Sequence, residues 1–223
     1  MNSIQSLIAS KLLLPSLFWS GILFSPVLWA DTLDDIAPLQ HGWAEVNYNV
    51  AEDQREKAFA ALVVQADAVV AAHAGEAEPL IWRGIIKSSY AGAKGGLGAL
   101  SVAESSKADF EAAMALNDQA LQGSAYTSLG VLYSKVPGWP IGFGSDKKAK
   151  ELLEKALSIN PQGIDPNYFY AEFLFEKHDY QAAMRYLELA KQAPARPGRE
   201  DADAGRQQDI ANLLVKVAKK LKK

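Results

Sequence analysis

Residues 124–161 constrain the chain more than any other stretch. Leu129, Gly130 and Tyr133 fall in the first half of it, and Ala149, Leu153, Ala156 and Pro161 in the second. This spacing predicts two helices packed face to face, with the glycine allowing close backbone approach and the alanines admitting large facing side chains. Between them, residues 136–144 read Val-Pro-Gly-Trp-Pro-Ile-Gly-Phe-Gly. Proline removes a helical donor and glycine carries a high entropic cost, so this segment predicts an elaborate loop.

The rest of the chain carries the same kind of pattern. Ile36, Leu39, Trp43, Val46 and Val50 recur at helical spacing after Thr32-x-x-Asp35, which has the form of a capping box. A polar break at residues 52–55 precedes a second helix bearing Phe59, Leu62, Val63, Ala66, Val69 and Val70. The next pair opens with Leu80, Ile81, Trp82 and Gly84 and runs as a helix to about Tyr90. Residues 91–98 hold four glycines, predicting a loop. Ser101-x-x-Glu104 then offers a second capping box, ahead of Phe110, Ala113 and Leu116 on a buried stripe.

Further on, Asp165 followed by Pro166 predicts a cap and first helical position. Ala171, Tyr180, Ala183, Leu187 and Ala190 continue a pair whose turn is His178-Asp179, and residues 193–199 form a loop. A last helix, about 201–221, puts Ile210, Leu213, Leu214, Val217 and Leu221 on one face and ends in five lysines. A terminal element with a polar outer face suits the end of a repeat stack, and lysines complement a helix C-terminus. A basic membrane-binding tail is the alternative.

The first thirty residues differ in character. Lys11 is the single charge before Asp31, and residues 12–30 are uncharged and mostly apolar. Residues 1–30 resemble a secretory signal peptide, with cleavage expected after Ala30 and an exported, periplasmic protein beginning at Asp31. The rival is an uncleaved anchor holding the protein to the membrane. The organisation expected is therefore 1–30 signal or anchor, 31–198 helical repeats and 199–223 a C-terminal amphipathic capping helix. The 223 residues contain no cysteine, which removes disulfides, thiolate metal sites and a cysteine nucleophile. A formal charge of −3 gives no reason to expect nucleic acid.

On the residues of 124–161, the chain resembles tetratricopeptide-repeat proteins, matching the L-G-x2-Y…A-x3-F…P skeleton with Leu153 at the aromatic place. The resemblance covers about residues 43–193. It implies an all-α, TPR-like α-solenoid of about four helix pairs, with inter-helix insertions and a C-terminal capping helix. Against the family's 34-residue period the second and third pairs carry roughly ten and seven surplus residues. It also implies a concave binding surface lined by the first helix of each pair. Here those helices contribute Ile81, Ile85 and Ser88, then Thr127, Val131 and Ser134, then Tyr168, Glu172 and Phe175. More distantly the chain is similar to the periplasmic T components of TRAP-type solute transporters. The members in question are lipoproteins, and this chain lacks the required cysteine.

The two inserted loops are candidate binding elements, expected to be neighbours on one edge of the solenoid. Trp139 and Phe143 either present a binding surface or fold back over the helix ends. Lys94 with its glycine run offers backbone amides to a phosphate, but lacks the G-K-[S/T] ending and the preceding strand of a P-loop. A packed turn is the plainer reading. His41, His73 and His178 have no second ligand at metal spacing, and no catalytic motif is apparent. The expectation is an exported, non-enzymatic scaffold without cofactor or metal, holding a protein or peptide partner. The alternative is a small apolar ligand, bound by a transporter accessory component.

Overall fold

The computed structural model describes residues 28–222, and its α-helices fall into successive hairpins. Helix α1 (Leu28–Tyr48) pairs with α2 (Glu52–Ala72), and α3 (Ala77–Lys94) with α4 (Gly96–Leu116). Then α5 (Ser124–Lys135) pairs with α6 (Asp146–Ile159), and α7 (Ile164–Glu176) with α8 (Tyr180–Lys191). A final helix, α9 (Glu200–Leu221), packs on α8. Segment 1–27, and with it nearly all of the expected signal peptide, lies outside the described residues. Among the described residues no helix is long and apolar enough to cross a membrane.

One small residue near the middle of each inner helix sets the pairing distance. A Cβ on Gly42 would stand 2.9 Å from Leu62 Cδ1, one on Gly84 2.6 Å from Phe110 Cε1, and one on Gly130 2.8 Å from Leu153 Cγ. Each glycine is thus the socket for a large side chain of the paired outer helix. In the fourth pair Ala171 and Leu187 are both fully buried. Ala149, Leu153 and Ala156 are also fully buried, as the skeleton predicts.

Successive hairpins pack through consecutive helices, α2 on α3, α4 on α5 and α6 on α7, and also through alternate ones. Helix α1 touches α3, α3 touches α5, α5 touches α7, and α7 touches α9, so the odd-numbered helices form an inner layer. The even-numbered helices lie outside them. Two hydrophobic cores follow, one around α1–α3 and one running from α3 to α9, with Ile85 and Leu121 packed against both.

Several local expectations are corrected. The glycine-rich stretch 91–98 is not a loop: α3 continues to Lys94 and α4 starts at Gly96, leaving Gly95 as the break. Both Gly95 (φ 60) and Gly96 (φ 62) take left-handed backbone, which a single tight corner requires. The surplus residues therefore lengthen two helices. Ser101 consequently lies inside α4, its Oγ donating to the Gly98 carbonyl, and caps nothing. Thr32 likewise sits within α1, where its hydroxyl donates to Glu76 (2.6 Å). Asp165 is inside the first turn of α7, Gly163 taking the cap position. By contrast, residues 136–145 do form a loop, with the Trp139–Pro140 peptide cis and Ser145 capping α6. Its Gly144 is packed so closely that a Cβ would overlap the Val136 carbonyl.

Because Gly130 is a socket for Leu153, Gly130→Leu should overpack the α5–α6 contact and cost about 1–3 kcal/mol. A urea midpoint equal to wild type at unchanged slope would contradict this packing.

Candidate functional site

The inner layer does not stay an open groove. Helix α9 packs on α8 through Ile210, Leu213 and Val217, then reaches across to α1. Gly205 makes the approach possible, since a Cβ there would overlap the Tyr48 ring. Tyr48 Oη donates to Asp209 Oδ2 (3.2 Å), and His41 Nδ1 lies 2.8 Å from Asp201 Oδ2. The last helix thereby joins the first, and the odd-numbered helices, with α4 and the α8–α9 linker, line a partly open cavity of about 1190 Å³.

Arg206 fastens this closure. It is 6% exposed, and its Nε donates to Asp165 Oδ1 (2.8 Å) and its Nη1 to Asp209 Oδ2 (3.0 Å). The guanidinium also lies 4.5 Å from the centres of both the Tyr168 and Phe169 rings. Burial opposes its charge, but Asp165, Tyr48 and Asp209 more than offset that and raise its pKa. Arg196, from the α8–α9 linker, donates to Asp165 Oδ2 (2.6 Å) and to Asp203. Burial alone would lift the Asp165 carboxyl, yet Arg206 and Arg196 hold it at about 2. Burial pushes the Tyr48 and Tyr168 hydroxyls well above the ordinary phenol range.

The cavity wall is mostly apolar, with a few polar groups left unsatisfied. Ile85, Val131, Leu121 and Phe169 face it, as do Trp43 and Trp82. Trp43 Nε1 donates to Ser89 Oγ (2.9 Å), whereas Trp82 Nε1 and Thr127 Oγ1 are buried without a partner. Leu121 (φ 46) and Gln122 (φ 56) are successive non-glycine residues in left-handed conformation, ahead of Gly123 (φ 74). Such backbone costs on the order of 1 kcal/mol or more per residue, and here it is held at the cavity wall.

The structure sorts the sequence-predicted site residues. Val131, Tyr168 and Glu172 do line the cavity, and Glu172 pairs with Lys135 (3.1 Å). Ile81 does not: it is fully buried in the core, one helical turn from Ile85, which takes the wall position. Phe175 packs on the Tyr180 ring, 5.6 Å between centroids, away from the cavity. Lys94 is held at the end of α3 by Tyr90 and Glu56, each 3.3 Å away. The glycine run around it forms no phosphate-cradling loop, because it is helix on both sides of Gly95.

The inserted loop meets α4 as expected of neighbours, Gly142 lying where a Cβ would be 3.2 Å from Leu100. Its two aromatics part company. Phe143 folds back edge-on to Tyr133 at 5.4 Å, while Trp139 is 89% exposed. Ile141, 68% exposed, contributes to the cavity rim.

Trp82, Asp165, Arg196, Arg199 and Arg206 carry no sequence motif that marks them as site residues. One signal is present: Arg206 stands four residues before Ile210 and four after Ala202, a charge within the apolar stripe of α9.

The Asp165 pair makes stability pH-dependent. Its carboxyl titrates near 3.8 when unfolded and at about 2 when folded. The stabilisation is therefore complete above about pH 4 and is lost as pH falls through 2, amounting to about 2 kcal/mol. Asp165→Asn should remove that dependence as well as lowering stability at neutral pH. Melting curves from pH 5 to 2 should converge; curves that run parallel would contradict the assignment.

Residues 147–198 match the tetratricopeptide-repeat family model. Comparison with curated proteins found no match. The matched segment comprises α6, α7 and α8 and ends in the linker before α9. That match, together with the same inner–outer pairing in the preceding hairpins, fits a tetratricopeptide-repeat protein, and repeats of this kind suggest a protein–protein interaction scaffold.

Proposed function

We propose that the protein is an exported, non-enzymatic scaffold that holds a segment of a partner polypeptide in the cavity closed by α9. The observation carrying this reading is the cavity itself, about 1190 Å³ and walled by the inner helices and the 136–145 loop. Pockets for small ligands are typically about 300–1,000 Å³, so the space suits several side chains of a peptide better than one solute. The exposed Trp139 and Ile141 stand on the loop that lines one side of the cavity, Ile141 at its rim. Large exposed aromatics of this kind are common interface anchors. Export rests on the uncharged, mostly apolar residues 12–30. The scaffold role follows the repeat family.

A photo-cross-linking amino acid tests the reading in cells. Placed at Ser128 in the cavity wall or at Trp139, it should trap one polypeptide, and at Glu151 on the exposed face of α6 it should trap none. Val131→Glu, which puts a charge into the apolar wall, should abolish the Ser128 adduct. The recovered protein should begin at Asp31. Adducts from Glu151 alone, or only low-mass adducts from Ser128, would contradict the proposal; an intact Met1 start would contradict cleavage.

A further inference from the structure

Arg199 stands apart from the other cations of the cavity wall. Lys135 is matched by Glu172 and Glu176, Arg196 by Asp165 and Asp203, and Arg206 by Asp165 and Asp209. The Arg199 side chain makes no hydrogen bond or ion pair among the described residues, and its Nε is buried without a partner. Its guanidinium lies 4.7 Å from the centre of the Trp82 ring, whose own Nε1 is likewise buried and unpartnered. Trp82 and Thr127, another wall residue with an unpartnered buried polar atom, are 4% and 3% exposed.

A guanidinium held over an indole ring and bonded to no protein acceptor keeps its terminal N–H groups for a ligand, and these match a carboxylate bidentately. Burial, and then the neighbouring Arg196 charge, hold its pKa below the ordinary arginine range. Its charge is thus the least compensated of the cluster. Of the four cations on the cavity wall only Arg199 has no carboxylate partner among the described residues, and one carboxylate completes its pairing. A dianion such as phosphate would instead crowd Asp165 and Asp209. The strained Leu121–Gln122 turn belongs to the same wall.

We propose that Arg199 is the anchor for a carboxylate carried by the bound segment, received against Trp82 inside the α9-closed cavity. This rests on the reading of the cavity as a peptide site and names the chemistry of its anchor. The anchor lies one residue beyond the matched repeat segment, in the α8–α9 linker, so it is a feature of the closure and not of the repeat skeleton. The carboxylate is an acidic side chain or the terminal carboxylate of a polypeptide.

Isothermal titration with three short peptides separates these sources: Ac-Leu-Glu-Leu-NH2, Ac-Leu-Gln-Leu-NH2 and Ac-Leu-Gln-Leu-OH. At least one of the two acids should bind ten-fold or more tightly than the neutral peptide, and the better acid identifies the source. Arg199→Gln should erase the preference while leaving the melting temperature within a few degrees of wild type, and Arg199→Lys should restore part of it. Equal binding of all three peptides, or a preference that survives Arg199→Gln, would overturn the inference. If that equal binding is lost in Val131→Glu, the cavity remains a peptide site and the carboxylate anchor alone fails. Absence of binding by every peptide also overturns the anchor, and the Ser128 cross-link then judges the peptide site separately.

Discussion

A buried arginine determines the shape of this protein. Arg206 occupies a place on the apolar stripe of α9 that a leucine would fill in an ordinary terminal helix. Removing its charge from water costs several kcal/mol, and only well-placed carboxylates and rings offset that. Asp165 at the first turn of α7, Asp209 one turn along α9, and the faces of Tyr168 and Phe169 supply them. Because Asp209 also accepts from Tyr48 of α1, satisfying Arg206 fixes where the last helix meets the first. Hydrophobic burial alone would seat α9 on α8, but it would not choose this direction across the inner face.

The cavity follows from that closure. Repeats of helical hairpins normally leave a concave groove open to solvent. Here the inner helices are joined by α9 on one side and met by the 136–145 loop on another. The same closure brings the linker arginines to the wall, where Arg196 is neutralised and Arg199 is left over. Strain is stored close by, in the left-handed Leu121 and Gln122, and backbone held this way must be over-determined by its surroundings. Polar groups without partners, strained backbone and an exposed tryptophan occur on or beside a single surface, which distinguishes it from the plain outer helices.

Much of the repeat architecture is legible in the sequence. Gly130, Ala149, Leu153 and Ala156 announce a close helix pair because only small residues opposite large ones permit that approach, and the structure places them so. The glycines at 92–98 mislead, since composition alone cannot tell a loop from a sharp corner between two lengthened helices; Gly95 and Gly96 suffice for the corner. Of the concave positions expected in α3, Ile85 and Ser88 are wall residues and Ile81 is core, because the helix turns its first apolar position toward its neighbours and not toward the cavity. The closure itself is not legible. It depends on Arg206 finding Asp165, forty-one residues earlier, and on Asp209 finding Tyr48 in the first helix, and no local pattern encodes such pairings. A charge on an apolar stripe is the available clue.

The closed cavity depends on the contact between α9 and α1, and the absence of cysteine makes that contact directly measurable. Cysteines introduced at His41 and Asp201, whose side chains meet at 2.8 Å on the exposed edge of the contact, form a pair with no competitors. In dilute folded protein a short-armed bis-maleimide should join them within one molecule, rapidly and at a rate independent of protein concentration, and urea should abolish the reaction. Failure to cross-link in the folded protein, or linkage that forms only between molecules, would show an open solenoid and contradict the closed cavity.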